Sequence, residues 1–245
     1  MRNVKLVFEY DGTRFWGYQR QAAGRTVQGE MERILSILTN AAVTLNSAGR
    51  TDSGVHATGQ AANFKTGSRL TDEQLLNGLH ALLPSDIAIR RVETVDMVFH
   101  ARFSAVARRY EYRIRNADRK SVFHRLYELH VTDQLDAQNM DLGCRCLIGE
   151  HDFSSFRAAG DTSAHSKRNM MEAGCCRDGE VILLFFEANA FLQHMIRIIV
   201  GTLLPVGRGR MTVAEFLDVL QARDRARAGT TAPPHGLCLT AVRYE

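Results

Sequence analysis

Between residues 105 and 115 the chain alternates with a period of two. Val106, Tyr110, Tyr112 and Ile114 fall on one side, and Ala107, Arg109, Glu111, Arg113 and Arg115 on the other. Successive side chains of an extended chain point to opposite faces, so this stretch reads as a strand with one face covered. A strand of this kind needs neighbours for its backbone hydrogen bonds, which commits the rest of the chain to supplying a sheet. Val4, Leu6, Phe8 and Tyr10 repeat the pattern and end at Asp11-Gly12, a turn signal. Val43 with Leu45, and residues 60–64, 87–92, 181–187 and 237–244, read as further strands.

Helical spacing interrupts these strands. Thr26 stands where it would cap a helix bearing Val27, Met31, Ile34, Leu35 and Leu38 on one face. Thr71 and Gln74 form a candidate capping box ahead of Leu75, Leu76, Leu79 and Leu82. Residues 191–204 and 213–222 also read as helices, and residues 46–59 as a loop. Strand, helix and strand recur in each half of the chain. This predicts an α+β fold with a shared or paired, mostly antiparallel sheet, and a boundary between an N-terminal half, residues 1–104, and a C-terminal half, residues 105–245.

Composition excludes several classes. With 45% hydrophobic and 24% charged residues the chain is of ordinary globular type. The longest apolar stretch, residues 190–206, includes Gln193, His194, Arg197 and Pro205, and falls short of the ~20 apolar residues a bilayer-spanning helix needs. The opening MRNVKLVFEYDG has no apolar core of the kind a secretory signal carries, so a cytoplasmic location is expected. Cys144, Cys146, Cys175, Cys176 and Cys238 fit neither a zinc site nor a disulfide framework, and reduced thiols are expected. The net charge is only +4, but arginines crowd two stretches. One holds Arg102, Arg108, Arg109, Arg113, Arg115 and Arg119; the other holds Arg208, Arg210, Arg223, Arg225 and Arg227. Such runs suit phosphate contacts and equally suit solvated faces.

The most pointed feature is GRTDSGVHA, residues 49–57. Its glycines let the backbone turn sharply and approach a ligand closely, and Arg50 could pair with Asp52 and orient it. An Asp in a glycine-flanked loop also serves as an Asx-turn or a helix cap, so the pattern alone leaves both readings open. A Ser53–His56–Asp52 triad is excluded because neighbours in one short loop rarely converge, and no GxSxG is present. His56, His80, His100 and His194 lack metal-ligand spacing, and no nucleotide-binding motif occurs, so neither a metal nor a cofactor is expected. Tyr110 reads either as core packing or as a platform for a nucleobase. Arg197 lies inside an apolar helical run. It either snorkels to the surface or requires a buried partner, for which Asp52 is a candidate.

Across nearly its whole length the chain resembles the tRNA pseudouridine synthase A family, whose corresponding loop reads GRTDAGVHA. The likeness runs through YDGTRFWGYQRQ (10–21), RTVQGEME (25–32), FHARFSA (99–105), RRYEYRI (108–114), GEHDFSSFR (149–157), EANAFLQHMIR (187–197) and TAPPHGL (231–237). Departures are Ser53 for alanine, Tyr18 for tryptophan, Ile198 for asparagine, and SKRN at 166–169. The resemblance implies isomerisation of uridine to pseudouridine at positions 38, 39 and 40 in the tRNA anticodon stem-loop. It implies Asp52 as the catalytic nucleophile, Tyr110 packed on the target base, and Arg50 and Arg197 as supporting arginines. It further implies two pseudo-symmetric, ferredoxin-like halves with a basic cleft between them, a homodimer that binds tRNA, and no cofactor.

Overall fold

The computed structural model describes residues 1–245. It is an α+β structure of ten strands and five α-helices. Contacts divide it into two compact units, Met1–Arg108 with Cys238–Glu245, and Arg109–Leu237. No helix is long and apolar enough to cross a membrane.

The first unit is built from β1 (Arg2–Tyr10), α1 (Val27–Thr39), β2 (Asn46–Ser47), β3 (His56–Thr66), α2 (Asp72–Leu82) and β4 (Ile87–Val95), joined by the last strand of the chain, β10 (Leu237–Arg243). The strand order is β4-β1-β3-β10, with β2 on β3. β1 runs antiparallel to both neighbours, and β10 lies parallel to β3, with Cys238 opposite His56. Val4, Leu6 and Phe8 are fully buried on the covered face of β1, and Met31, Leu35, Leu75 and Leu79 supply the buried faces of the helices. Both helix starts follow their sequence signals. Thr26 accepts from the Gly29 amide, and Thr71 and Gln74 close a complete capping box. α1 stops where Asn40 takes a left-handed conformation, φ 50°.

The second unit contains β5 (Ala107–Asn116), whose first two residues belong to the first unit, then β6 (Leu129–Val131), α3 (Ala137–Arg145), β7 (Gly149–Asp152), β8 (Lys167–Asp178), β9 (Val181–Ala188), α4 (Met195–Gly207) and α5 (Val213–Ala222). Here the order is β5-β9-β8-β7, with β6 parallel to β5. Tyr112, Ile114, Leu184, Phe186, Ile199, Leu203 and Phe216 are fully buried in this unit's core.

Four expectations change. Val43 and Leu45 are buried but not in a strand; the short strand is β2, just after them. The stretch 46–59 is not all loop, because β3 begins at His56. The helix expected from residue 191 begins at Met195, since His194 takes a left-handed φ of 60° and breaks the helical path. On β5 the buried face includes Arg108 instead of Val106, which is 43% exposed. Arg108 replaces apolar packing with hydrogen bonds. It donates to Ala48 O at 3.0 Å, Ala105 O at 3.0 Å and Arg102 O at 2.5 Å. Three carbonyl acceptors make burial of the guanidinium tolerable.

Candidate active site

Asp52 sits in the first unit, in the connection between β2 and β3, and is half-buried. Its position is set by the backbone on both sides of it. The Val55 amide donates to Asp52 O at 3.2 Å, which closes a four-residue turn. Gly54 occupies the third place of that turn with φ +78°, a value that favours glycine and that a type II turn requires there. Ahead of Asp52, Thr51 is buried and its hydroxyl shares a 2.8 Å hydrogen bond with the Tyr10 hydroxyl. Gln60, fully buried on β3, donates to Gly49 O at 3.1 Å.

A second segment lies against this loop. The Tyr18 amide donates to Thr51 O at 3.0 Å, and the Ser53 hydroxyl donates to Phe15 O at 3.1 Å. Between these two bonds Gly17 approaches so closely that a Cβ there would lie 3.0 Å from Thr51 O and 3.3 Å from the Ser53 nitrogen. Ser53, a departure from the family pattern, therefore serves the loop as a strut. His56 Nδ1 accepts from the Gly12 amide at 3.0 Å, so this imidazole anchors the turn after β1.

Arg50 shares the loop and is exposed.

Tyr110 and Arg197 lie in the second unit. Tyr110 is 7% exposed, on the buried face of β5, and Phe191 meets it edge-on with ring centroids 5.1 Å apart. Sequence spacing gave no hint of Phe191, since it precedes the helix proper. Arg197, half-buried on α4, donates from Nε to Ala232 O at 2.8 Å, while the Ala232 amide donates to Arg197 O at 3.0 Å. This reciprocal pair docks the TAPPHGL segment on α4. Gly229 adds a bond to the Thr202 hydroxyl at 2.9 Å, and the Tyr112 hydroxyl donates to Pro233 O at 2.9 Å. Burial pushes the Tyr112 phenol up, and the nearby Arg197 charge offsets part of that. Ile198, where the family pattern has asparagine, is buried in the core, and the helix is fixed by these main-chain bonds.

Three arginines of these runs are engaged within the second unit. Arg115 pairs with Glu128 and Glu180, both at 2.7 Å, and Arg109 pairs with Glu172. Arg208 pairs with Asp133 at 2.6 Å. Arg119, Arg210 and Arg227 of the same runs are exposed. All five cysteines are free thiols, and no group of three or more His, Cys, Asp or Glu side chains is arranged to hold a metal ion.

Comparison with known proteins assigns this arrangement to a class. The model of a family described as tRNA pseudouridine synthase matches residues 6–104 and 144–245. The chain belongs to that family, a family of isomerases. Among curated relatives, it is 42% identical over 244 residues to the tRNA pseudouridine synthase A of Acetivibrio thermocellus, covering 100% of both chains. It is 45% identical over 241 residues to the protein of the same name from Aeromonas salmonicida, covering 98% of this chain and 90% of that one. The corresponding protein of Shewanella amazonensis is 44% identical over 241 residues, with 98% and 92% covered.

Proposed function

We propose that this enzyme isomerises uridine to pseudouridine at positions 38, 39 and 40 of the tRNA anticodon stem-loop, with Asp52 as the nucleophile. The observation that carries the assignment is the bracing of Asp52. Its carboxylate stands on a turn fixed by Gly54, Tyr10, Gln60 and the segment 15–18, so a half-exposed acid is held in one place. Preorganised carboxylates of this kind serve nucleophilic catalysis at sugar carbons.

The reaction breaks the N1–C1′ bond, rotates the base, joins C5 to C1′, and moves the C5 proton away while N1 gains one. In the proposed course Asp52 adds to C1′ as N1 departs, and leaves again as C5 takes its place. The target nucleotide must leave its stack first, at a cost of about a few kcal/mol. Tyr110, its ring orientation set by Phe191, packs on the freed base. Arg50 and Arg197 support the site from their respective loop and helix.

The same reading includes two ferredoxin-like halves. In the first unit, β1-α1-β2-β3-α2 places β3 between β1 and β2. In the second, β5-α3-β8-β9-α4 places β9 between β5 and β8 in the same way. It also includes a homodimer in the cytoplasm, acting without a cofactor. The test is to incubate the protein with unmodified tRNA and map pseudouridine by nucleotide. Modification confined to the three positions supports the assignment, and modification elsewhere contradicts it.

A further inference from the structure

The segment that braces Asp52 also displays the only tryptophan of the chain. Trp16 is 59% exposed between two buried neighbours, Phe15 at 1% and the buried Gly17. It is not loose. Its amide donates to Arg25 O at 2.8 Å, and its carbonyl accepts from Gln21 Nε2, also at 2.8 Å. The indole lies against Gly24, whose φ is +86° and where any Cβ would collide with the ring. Phe15 is pinned in turn, with the Arg25 guanidinium 4.2 Å from its ring centroid and Arg25 itself held by Asp86 at 2.6 Å. The fold thus holds an aromatic ring out in solvent with its backbone fixed on both sides. The next residue, Gly17, lies on the main chain of Thr51–Ser53.

The flanking charge is positive. Arg14 and Arg50 are exposed and engaged in no ion pair, while Arg20, 64% exposed, shares Glu32 at 3.0 Å. An exposed flat ring with arginines on its own segment and on the adjoining Asp52 loop suits an unpaired nucleobase whose phosphates the arginines hold.

We infer that Trp16 is a stacking platform for a nucleobase of the substrate RNA, and that it positions the strand carrying the target uridine relative to Asp52. This rests on the assignment of the protein as a tRNA-uridine isomerase. Stacking is indifferent to base identity, so the platform orders a single-stranded stretch without reading its sequence.

Because Trp16 is the only tryptophan, the intrinsic emission of the full chain reports on it directly. Unmodified tRNA should quench that emission saturably. Trp16→Ala should raise KM for tRNA about tenfold, the scale of one lost base–aromatic stack. Its kcat should stay within about twofold, since no transition-state contact is removed. Trp16→Phe should restore most of the KM, which recovery of fold alone would not explain; thermal melts of both variants control for folding. Unchanged emission at saturating tRNA, or a Trp16→Ala KM equal to that of the native protein, would overturn the inference. Tritium release from uridine C5 in the same samples separates the two readings. Release without quenching removes the platform and leaves the isomerase, whereas quenching without release leaves the platform and removes the isomerase.

Discussion

Tyr10 and Thr51 share a hydroxyl–hydroxyl hydrogen bond of 2.8 Å, buried between the end of β1 and the loop that carries Asp52. Burial pushes the Tyr10 phenol up, so it stays a neutral hydroxyl. Gln60 Nε2 donates to the same hydroxyl at 3.5 Å, too long to substitute for Thr51.

Thr51→Val keeps the shape of the side chain and strands the Tyr10 hydroxyl. The expected loss is about 1–2 kcal/mol of stability, the cost of one buried unsatisfied group. Tyr10→Phe with Thr51→Val removes both polar partners, so the double variant should lose less than the sum of the single ones. Urea denaturation of the four proteins checks this, and strict additivity would show that the bond does not brace the loop.

Arg108→Ala should be among the most damaging surface-distant substitutions in the first unit. It removes the donors that hold Ala48 O, Ala105 O and Arg102 O, at an expected cost of about 3 kcal/mol. Arg108→Lys should recover little, because a single ammonium cannot reproduce the planar fork. Ala48 opens the segment leading to Asp52, so both variants should also lower kcat.

Alkaline pH should weaken the fold through its buried thiols and phenols. Burial raises the Cys175 thiol from 9.0 to about 12 and pushes Cys144 up as well, and the phenols of Tyr18 and Tyr244 move in the same direction. For such groups the folded state binds more protons than the unfolded one. Their contribution is complete below the ordinary thiol value and is lost as pH rises toward the folded value. Urea midpoints should therefore hold steady from neutrality to the ordinary thiol range and fall above it. For the same reason a disulfide reagent should modify exposed Cys176 in the native protein, and Cys144 and Cys175 only on unfolding. Rapid native-state labelling of Cys144 would contradict the buried placement.

The elements legible in the sequence were those with one clear period and a clean boundary. β1, α1, α2 and α5 are of this kind, each bounded by a turn signal or a cap, and β9 was legible as a continuous apolar run. β8 was not legible. Its register shifts between Met170 and Glu172, so the alternation that marks a strand is broken in the middle. α3 escaped notice because only Met140, Gly143 and Cys144 of its residues are buried. Within the site, the loop of Asp52 stood out by its glycines, but its struts did not. Tyr10 and Phe15 are distant in sequence and meet the loop only in the folded unit. The ion pairs of Arg109 and Arg115 were hidden for the same reason. Their acidic partners, Glu128, Glu172 and Glu180, arrive from other strands and loops, which no local pattern reports.

The central claim is that Asp52 carries the isomerisation. Formation of the C5–C1′ bond must expel the hydrogen at C5, so tRNA tritiated at uridine C5 gives a direct readout. The native protein should release tritium in proportion to pseudouridine formed, and Asp52→Asn should release none while binding tRNA and melting as the native protein does. Tritium release by Asp52→Asn at the native rate would contradict the assignment and place the reacting group elsewhere in the molecule.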